Sequence, residues 1–279
     1  MPSTKRQQSQ SSIASWNGRR STNHMSCRLE ILRDERLAAE RAAHILTETL
    51  AAAIQKRGWA SIALAGGRTP RLLYELLAQP PFRDAVAWEQ IEWFWGDERM
   101  VPPDHDESNY RLAAETLLTV LPIPAYRIHR VLTELGPEQA AAAYEATMRA
   151  VFDVSEGEVP HFDLILLGMG QDGHIASLFP HTPALQETRR LVVANPVPAL
   201  STTRITITPV LLQAARSVLV LVTGSEKAQT VRRALEDRLA PLDIPAHLLA
   251  TVPGEVTWIL DQAAASLLSV ESGPCPERQ

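Results

Sequence analysis

The chain has 279 residues, 45% hydrophobic and 21% charged, which suits a globular fold large enough to bury its core without a structural metal or disulfide. The net charge is −5, and the first 29 residues carry five cations and no acid, so the body is more acidic still, which argues against a general nucleic-acid binder. No apolar run approaches the roughly 18 residues of a membrane span and no signal-like apolar stretch opens the chain, so neither a membrane nor secretion is expected and the cytoplasm is.

Residues 1–27 are rich in Ser, Gln and Arg and poor in aliphatic side chains, so a disordered tail is expected. Their composition also fits a transit peptide, and Met25 offers an alternative start. Cys27 and Cys275 stand near opposite termini in polar surroundings, which argues against a disulfide scaffold and for a reducing compartment. The spacing of Leu37, Ala38, Ile45, Leu46, Leu50 and Ile54 predicts a helix over 34–57, stopped by Gly58. A buried strand follows at 61–65. The turn Gly66-Gly67-Arg68-Thr69-Pro70 then leads into a helix, with Thr69 suited to its N-cap and Pro70 to its first position.

Further along, strands are predicted at 91–95, 162–167, 191–194, 204–208, 217–223 and 256–260, and helices at 108–121, 137–152, 225–239 and 261–268. Strands separated by helices indicate βαβ units around a parallel sheet covered on both faces. One α/β domain over 28–270, with a C-terminal tail at 271–279, accounts for the pattern. Ligands of open α/β sheets bind beyond the carboxyl ends of the strands, so the turns after Ala65, Trp95, Leu167 and Thr223 are the places to seek chemistry.

Four constellations fall there. Gly66, Gly67, Arg68 and Thr69 combine close backbone approach, free helix N–H groups and a cation, as an anion site requires, although a plain βα turn would look the same. Asp97-Glu98-Arg99, with Ser108 and Asn109 downstream, offers Arg99 as an oxyanion or phosphate ligand held by Asp97 or Glu98, or else a solvated loop. Gly168-Met-Gly170-Gln-Asp172-Gly-His174 contains G-x-G-x-x-G. Only six residues separate Gly173 from Pro180, too few for a dinucleotide crossover helix, and His174 stands where a P-loop needs Lys. His174 beside Asp172 suits a general base that titrates near neutrality, or a surface histidine. Lys227, in the first turn of a helix whose dipole opposes it, and Arg204, opening an alternating strand, would both be compensated by an anion. No serine-hydrolase elbow or zinc motif occurs, and nothing calls for a cofactor or metal.

Taken in order, Ala65-Gly-Gly-Arg-Thr-Pro70, Asp97-Glu-Arg-Met-Val-Pro102 with Ser108-Asn-Tyr110, and Leu167-Gly-Met-Gly-Gln-Asp-Gly-His-Ile-Ala-Ser-Leu-Phe-Pro180 closely resemble the 6-phosphogluconolactonase family over about residues 30–265. The resemblance implies a Rossmann-like, mostly parallel α/β sheet with helices on both faces, of the deaminase and ribose-5-phosphate isomerase type. It implies hydrolysis of 6-phosphoglucono-δ-lactone without a cofactor. His174 falls on the family's base, and Gly67, Arg68, Thr69, Arg99, Arg204 and Lys227 on its phosphate-side and lactone-side groups. Gly66, Asp97, Asn109 and Gly170 complete the expected substrate-binding set, with Asp172 and Arg99 beside His174 as catalytic groups.

Two positions depart from the family: Arg68 stands where a serine is common, and Pro196-Val-Pro-Ala199 lacks a lysine, which suggests charge compensation by Arg68 or Arg204. The nearest rival is a glucosamine-6-phosphate deaminase/isomerase, whose loop resembles this one as far as Ala176 and then supplies a glutamate, whereas Ser177-Leu-Phe-Pro180 supplies no acid. A non-catalytic sugar-phosphate sensor is a second rival, but residues 1–30 cannot form its DNA-reading module. The expected partner is a small phosphosugar lactone, with no nucleic acid or membrane, and the expected state a monomer or weak homo-oligomer.

Overall fold

The structure, a computed structural model, describes residues 27–237, 239–269 and 271–275. Almost all of the expected tail, with the transit-peptide reading and Met25, therefore lies outside the described residues. The chain runs β1 (Cys27–Leu32), α1 (Glu35–Arg57), β2 (Ala60–Leu64), α2 (Arg68–Leu77), β3 (Ile91–Trp95), β4 (Asp97–Arg99), α3 (Asn109–Ala113), α4 (Pro137–Phe152), β5 (Leu164–Leu167), β6 (Val192–Val197) and β7 (Thr202–Ile207). It continues with α5 (Pro209–Gln213), β8 (Ser217–Val222), α6 (Ala228–Glu236), β9 (Glu255–Asp261) and β10 (Gly273–Pro274).

Seven strands form one sheet in the order β10-β1-β9-β8-β5-β2-β3, parallel throughout except for the β1–β10 edge pair. The side-chain period of two divides its strands cleanly. Leu164, Leu166, Leu219, Leu221 and Ile259 join one core layer, while Ile165, Leu167, Val218, Val220 and Trp258 join the other. Both faces are therefore apolar, which is why these segments read as continuous hydrophobic runs. Helix α1 covers one face with Ala38, Ala39, Ala42, Ala43 and Ala53, small residues that bring it close to the strands. Its N-cap Asp34 accepts from Leu37 N at 2.9 Å, and Gly58 ends it in the left-handed conformation.

The expected mostly parallel α/β sheet is present, but two of the predicted strands lie outside it. Segments 191–194 and 204–208 are no part of a βαβ unit; they form the antiparallel hairpin β6–β7, which with β4 makes a second, three-stranded sheet, β4-β7-β6. The helix expected at 108–121 is α for only five residues before continuing as a π turn over Ala114–Leu118, and 261–268 folds as turns. Thr69 lies inside the first turn of α2, whose N-cap is Gly67.

The cysteines also overturn their reading. Cys27 and Cys275 form a disulfide, Cα atoms 5.2 Å apart, and β10 pairs with β1 beside it, so part of the expected C-terminal tail belongs to the domain. Distance in sequence concealed a pairing that the sheet edge brings about. Because the bridge spans 248 positions, the chain-entropy account assigns it about 5–6 kcal/mol, of which about 2–4 is typically realised. Dithiothreitol, or Cys27→Ser, is expected to lower the melting temperature by several degrees; an unchanged melt would show that the bond does not form in solution. No helix among the described residues is long and apolar enough to cross a membrane.

Candidate active site

Strands β8, β5, β2 and β3 lie side by side at the centre and edge of the large sheet. The chain passes from β2 outward to β3 and returns on the other side to β5, so the topological switch lies between β2 and β5. Beyond their carboxyl ends opens a cleft of about 530 Å³, lined among others by Gly66–Thr69, Asp97, Arg99, Gly170, Asp172, His174, Arg204 and Lys227. Of the twelve residues expected in the site, eleven line this cleft; Asn109 stands just behind it, against Gly66.

Three of the four turns are fixed by a side chain that the sequence did not single out. Tyr74 of α2 takes both polar groups of Ala65: its hydroxyl donates to the carbonyl at 2.6 Å and accepts from the N–H at 3.1 Å. Tyr144 of α4 does the same for Trp95, at 3.0 and 2.6 Å. Burial pushes both phenols far above their ordinary range, so they stay neutral hydrogen-bonding groups. Asp261, ending β9, accepts from Gly224 N at 3.1 Å and so anchors the turn that carries Lys227.

A hydrogen-bonded floor joins the two sheets. Asn195 Nδ2 donates to Ser177 O at 2.9 Å, Ser177 Oγ donates to Asp97 Oδ2 at 2.5 Å, and Asn109 Nδ2 donates to Asp97 O at 2.8 Å and Oδ1 at 3.2 Å. The Asn109 carboxamide then packs against Gly66 so closely that a Cβ there would overlap it, which explains that glycine. Glu98 is structural: it accepts from Arg99 N, Asn109 N and Tyr110 N, each at 2.8 Å, and so caps α3. Burial raises its pKa despite those bonds.

Neither Asp97 nor Glu98 pairs with the Arg99 guanidinium, contrary to the expectation; Glu98 holds only its backbone N, and the Glu107 carbonyl accepts from Nη1 at 2.7 Å. Arg99 is instead paired in register with Arg204 across β4–β7, and the Nε atoms of both are buried without a partner. Burial, and next the charge of Arg99, lower the pKa of Arg204. Two guanidinium groups opposite one another repel, and such a pair is stabilised by an anion between or beside them.

Lys227 closes the 3-10 turn Ser225–Lys227 that runs into α6, in the first helical turn as expected, with its pKa lowered by burial first and by nearby Arg68 among the charges. Among the described residues Arg68, Arg99, Arg204 and Lys227 form no ion pair. Gly67 caps α2 without a side-chain bond, so the free N–H groups of its first turn add to the same field.

His174 meets this field from the β5 side. Asp172 Oδ1 lies 2.6 Å from its Nδ1 and 3.2 Å from its backbone N. Burial works to raise the Asp172 pKa, but the bond to His174 and its charge outweigh it and hold the carboxyl below its usual value. A carboxylate on Nδ1 places the proton there and leaves Nε2 with a free lone pair. A Cβ on Gly170 would overlap the imidazole, so glycine is required for the ring to lie where it does. Among the described residues no cluster of His, Cys, Asp and Glu is arranged to hold a metal ion.

Comparison with known proteins matches residues 33–258 to the family described as glucosamine-6-phosphate isomerases/6-phosphogluconolactonase. The chain belongs to this family. Among its relatives, the 6-phosphogluconolactonase of Synechocystis sp. is 42% identical over 245 residues, covering 88% of this chain and 99% of that one. The 6-phosphogluconolactonase of Streptomyces coelicolor is 39% identical over 248 residues, covering 86% and 94%. The solved 6-phosphogluconolactonase from Trypanosoma cruzi superposes with a TM-score of 0.78 at 30% identity, covering 88% and 98%. A monomeric glucosamine-6-phosphate deaminase, at 22% identity and a TM-score of 0.71, shares the fold.

The rival deaminase reading expects an acid shortly after the histidine loop. At the corresponding stretch Ser177 is spent on Asp97, and Phe179 lies against His174. Asn195, Tyr74 and Tyr144 have no motif of their own, and Ser177, although inside the Leu167–Pro180 motif, is not singled out there as a site residue. The signal that points to them is a polar atom within an otherwise apolar element.

Proposed function

We propose that the chain hydrolyses 6-phospho-D-glucono-1,5-lactone to 6-phospho-D-gluconate in the oxidative pentose phosphate pathway, with His174 as the general base. The observation that carries this reading is the His174–Asp172 pair opening into the same cleft as four cations that form no ion pair among the described residues. A δ-lactone is a reactive ester, so catalysis needs an oriented water, a proton acceptor and stabilisation of the oxyanion. His174 Nε2 takes a proton from water as its oxygen bonds to the lactone carbonyl carbon. Arg99, with loop N–H groups, faces the negative charge that develops on the carbonyl oxygen.

Collapse of the tetrahedral intermediate breaks the bond to the ring oxygen, which receives the proton from the imidazolium; the product acid ionises in water. Asp172 holds the ring tautomer and stabilises the imidazolium. Lys227, Arg204 and the Gly66–Thr69 turn hold the phosphate, with Arg68 supplying a cation beside Lys227. Asp97 and Asn109 brace the floor on which the sugar rests. The enzyme acts on a small molecule.

The test is to generate the phosphorylated lactone in situ and follow acid release. Release well above the spontaneous rate is expected. No acceleration, or ammonia release from glucosamine 6-phosphate instead, would overturn the reading.

A further inference from the structure

The ring of Phe179 lies face against the imidazole of His174, centroids 4.1 Å apart and planes inclined by 29°. Phe179 is 9% exposed and lines the cleft, yet it belongs to neither core layer. Among the described residues His174 is the one ring it contacts.

The mounting is rigid. The Phe179 carbonyl accepts from Thr182 N at 3.2 Å and from Thr182 Oγ1 at 2.7 Å. Asn195, fully buried, ties Thr182 Oγ1 and Ser177 O together from the far side of the same turn, at 3.0 and 2.9 Å. Phe179 is thereby built into the floor that carries Asp97.

We propose that Phe179 is a positioning residue for the general base, acting through the face of its ring rather than through its bulk. A hydrogen bond to Nδ1 fixes one point of the imidazole and leaves the tilt of the ring free. The lone pair of Nε2 lies in the ring plane, so tilt decides whether it points at the attacking water. A second contact across the ring face removes that freedom. The same contact is stronger once the imidazole is protonated, because an aromatic face attracts a cation, so it favours the transition state over the ground state.

The inference rests on His174 being the base, as proposed above. Phe179→Leu and Phe179→Tyr are to be compared with wild type and His174→Ala using lactone generated in situ, with a thermal melt on each. Phe179→Leu is expected to lose about tenfold to a hundredfold in kcat, as a slightly misplaced catalytic group does, with KM nearly unchanged. Phe179→Tyr is expected to stay within a few-fold of wild type. Wild-type kcat in Phe179→Leu would overturn the proposal, and so would an equal loss in both variants, which would mean that packing alone matters. If Phe179→Leu does not fold, Phe179→Met takes its place with the same expectation. Wild-type turnover in His174→Ala would instead remove the base assignment, a result separable from either outcome at Phe179.

Discussion

His174→Ala is expected to lower kcat by about 10²–10⁴, the range found for a positioned general base, while the affinity for 6-phosphogluconate changes little. No other imidazole lines the cleft among the described residues, and Asp172, whose carboxyl is held below its usual pKa, is a poor acceptor in its place. Asp172→Asn should fall between wild type and His174→Ala, because it removes the acceptor that fixes the tautomer but leaves the ring in the cleft. Initial rates over a series of lactone concentrations, corrected for spontaneous hydrolysis, separate kcat from KM. If His174→Ala turned over at the wild-type rate, water would be activated elsewhere and the mechanism would be wrong.

The second large effect concerns the phosphate. Arg204→Ala and Lys227→Ala are each expected to reduce kcat/KM by about tenfold to a hundredfold, since each removes a charge-assisted contact worth about 1.5–3 kcal/mol. Both should bring turnover of the phosphorylated lactone toward that of the unphosphorylated one, which in the wild type should suffer in kcat as well as in KM. Equal losses on the two lactones would show that these cations do not hold the phosphate.

A pH dependence follows with a definite sign. Burial, and among the charges Arg68, place the Lys227 pKa below the ordinary 10.5, so its charge is lost earlier on the alkaline side than for a free lysine. Calorimetric affinity for 6-phosphogluconate should weaken along that limb, and Lys227→Arg should move the limb upward. A limb unmoved by Lys227→Arg would assign the titration to another group.

Much of the site was legible because its turns concentrate unusual residues. Glycines at 66, 67, 170 and 173 next to Arg68, Asp172 and His174 cannot be explained by helix or strand preference, and each falls where a strand ends. What escaped notice has a common cause. Tyr74, Tyr144, Ser177 and Asn195 look like ordinary members of their segments, and their partners lie 9, 49, 80 and 18 residues away. The hairpin β6–β7 was misread because alternation at 204–208 specifies a strand but not its neighbour or direction. The cysteine pair was misread because local polarity says nothing about which segments meet at a sheet edge.

Sequence by itself determined the alternation of helix and strand, the apolar faces that bury the central sheet, the positions of the glycine turns and the chemical groups available there. These follow from short-range sterics and from hydrophobic periods of 2 and 3.6, which act within a few residues. Only the tertiary structure decided that Arg99 faces Arg204, that Asp97 is bound by Ser177 and Asn109, that Phe179 lies on His174 and that Cys27 meets Cys275. Those pairings depend on strand order and register, which are settled by the packing of the whole sheet rather than by any one of its strands.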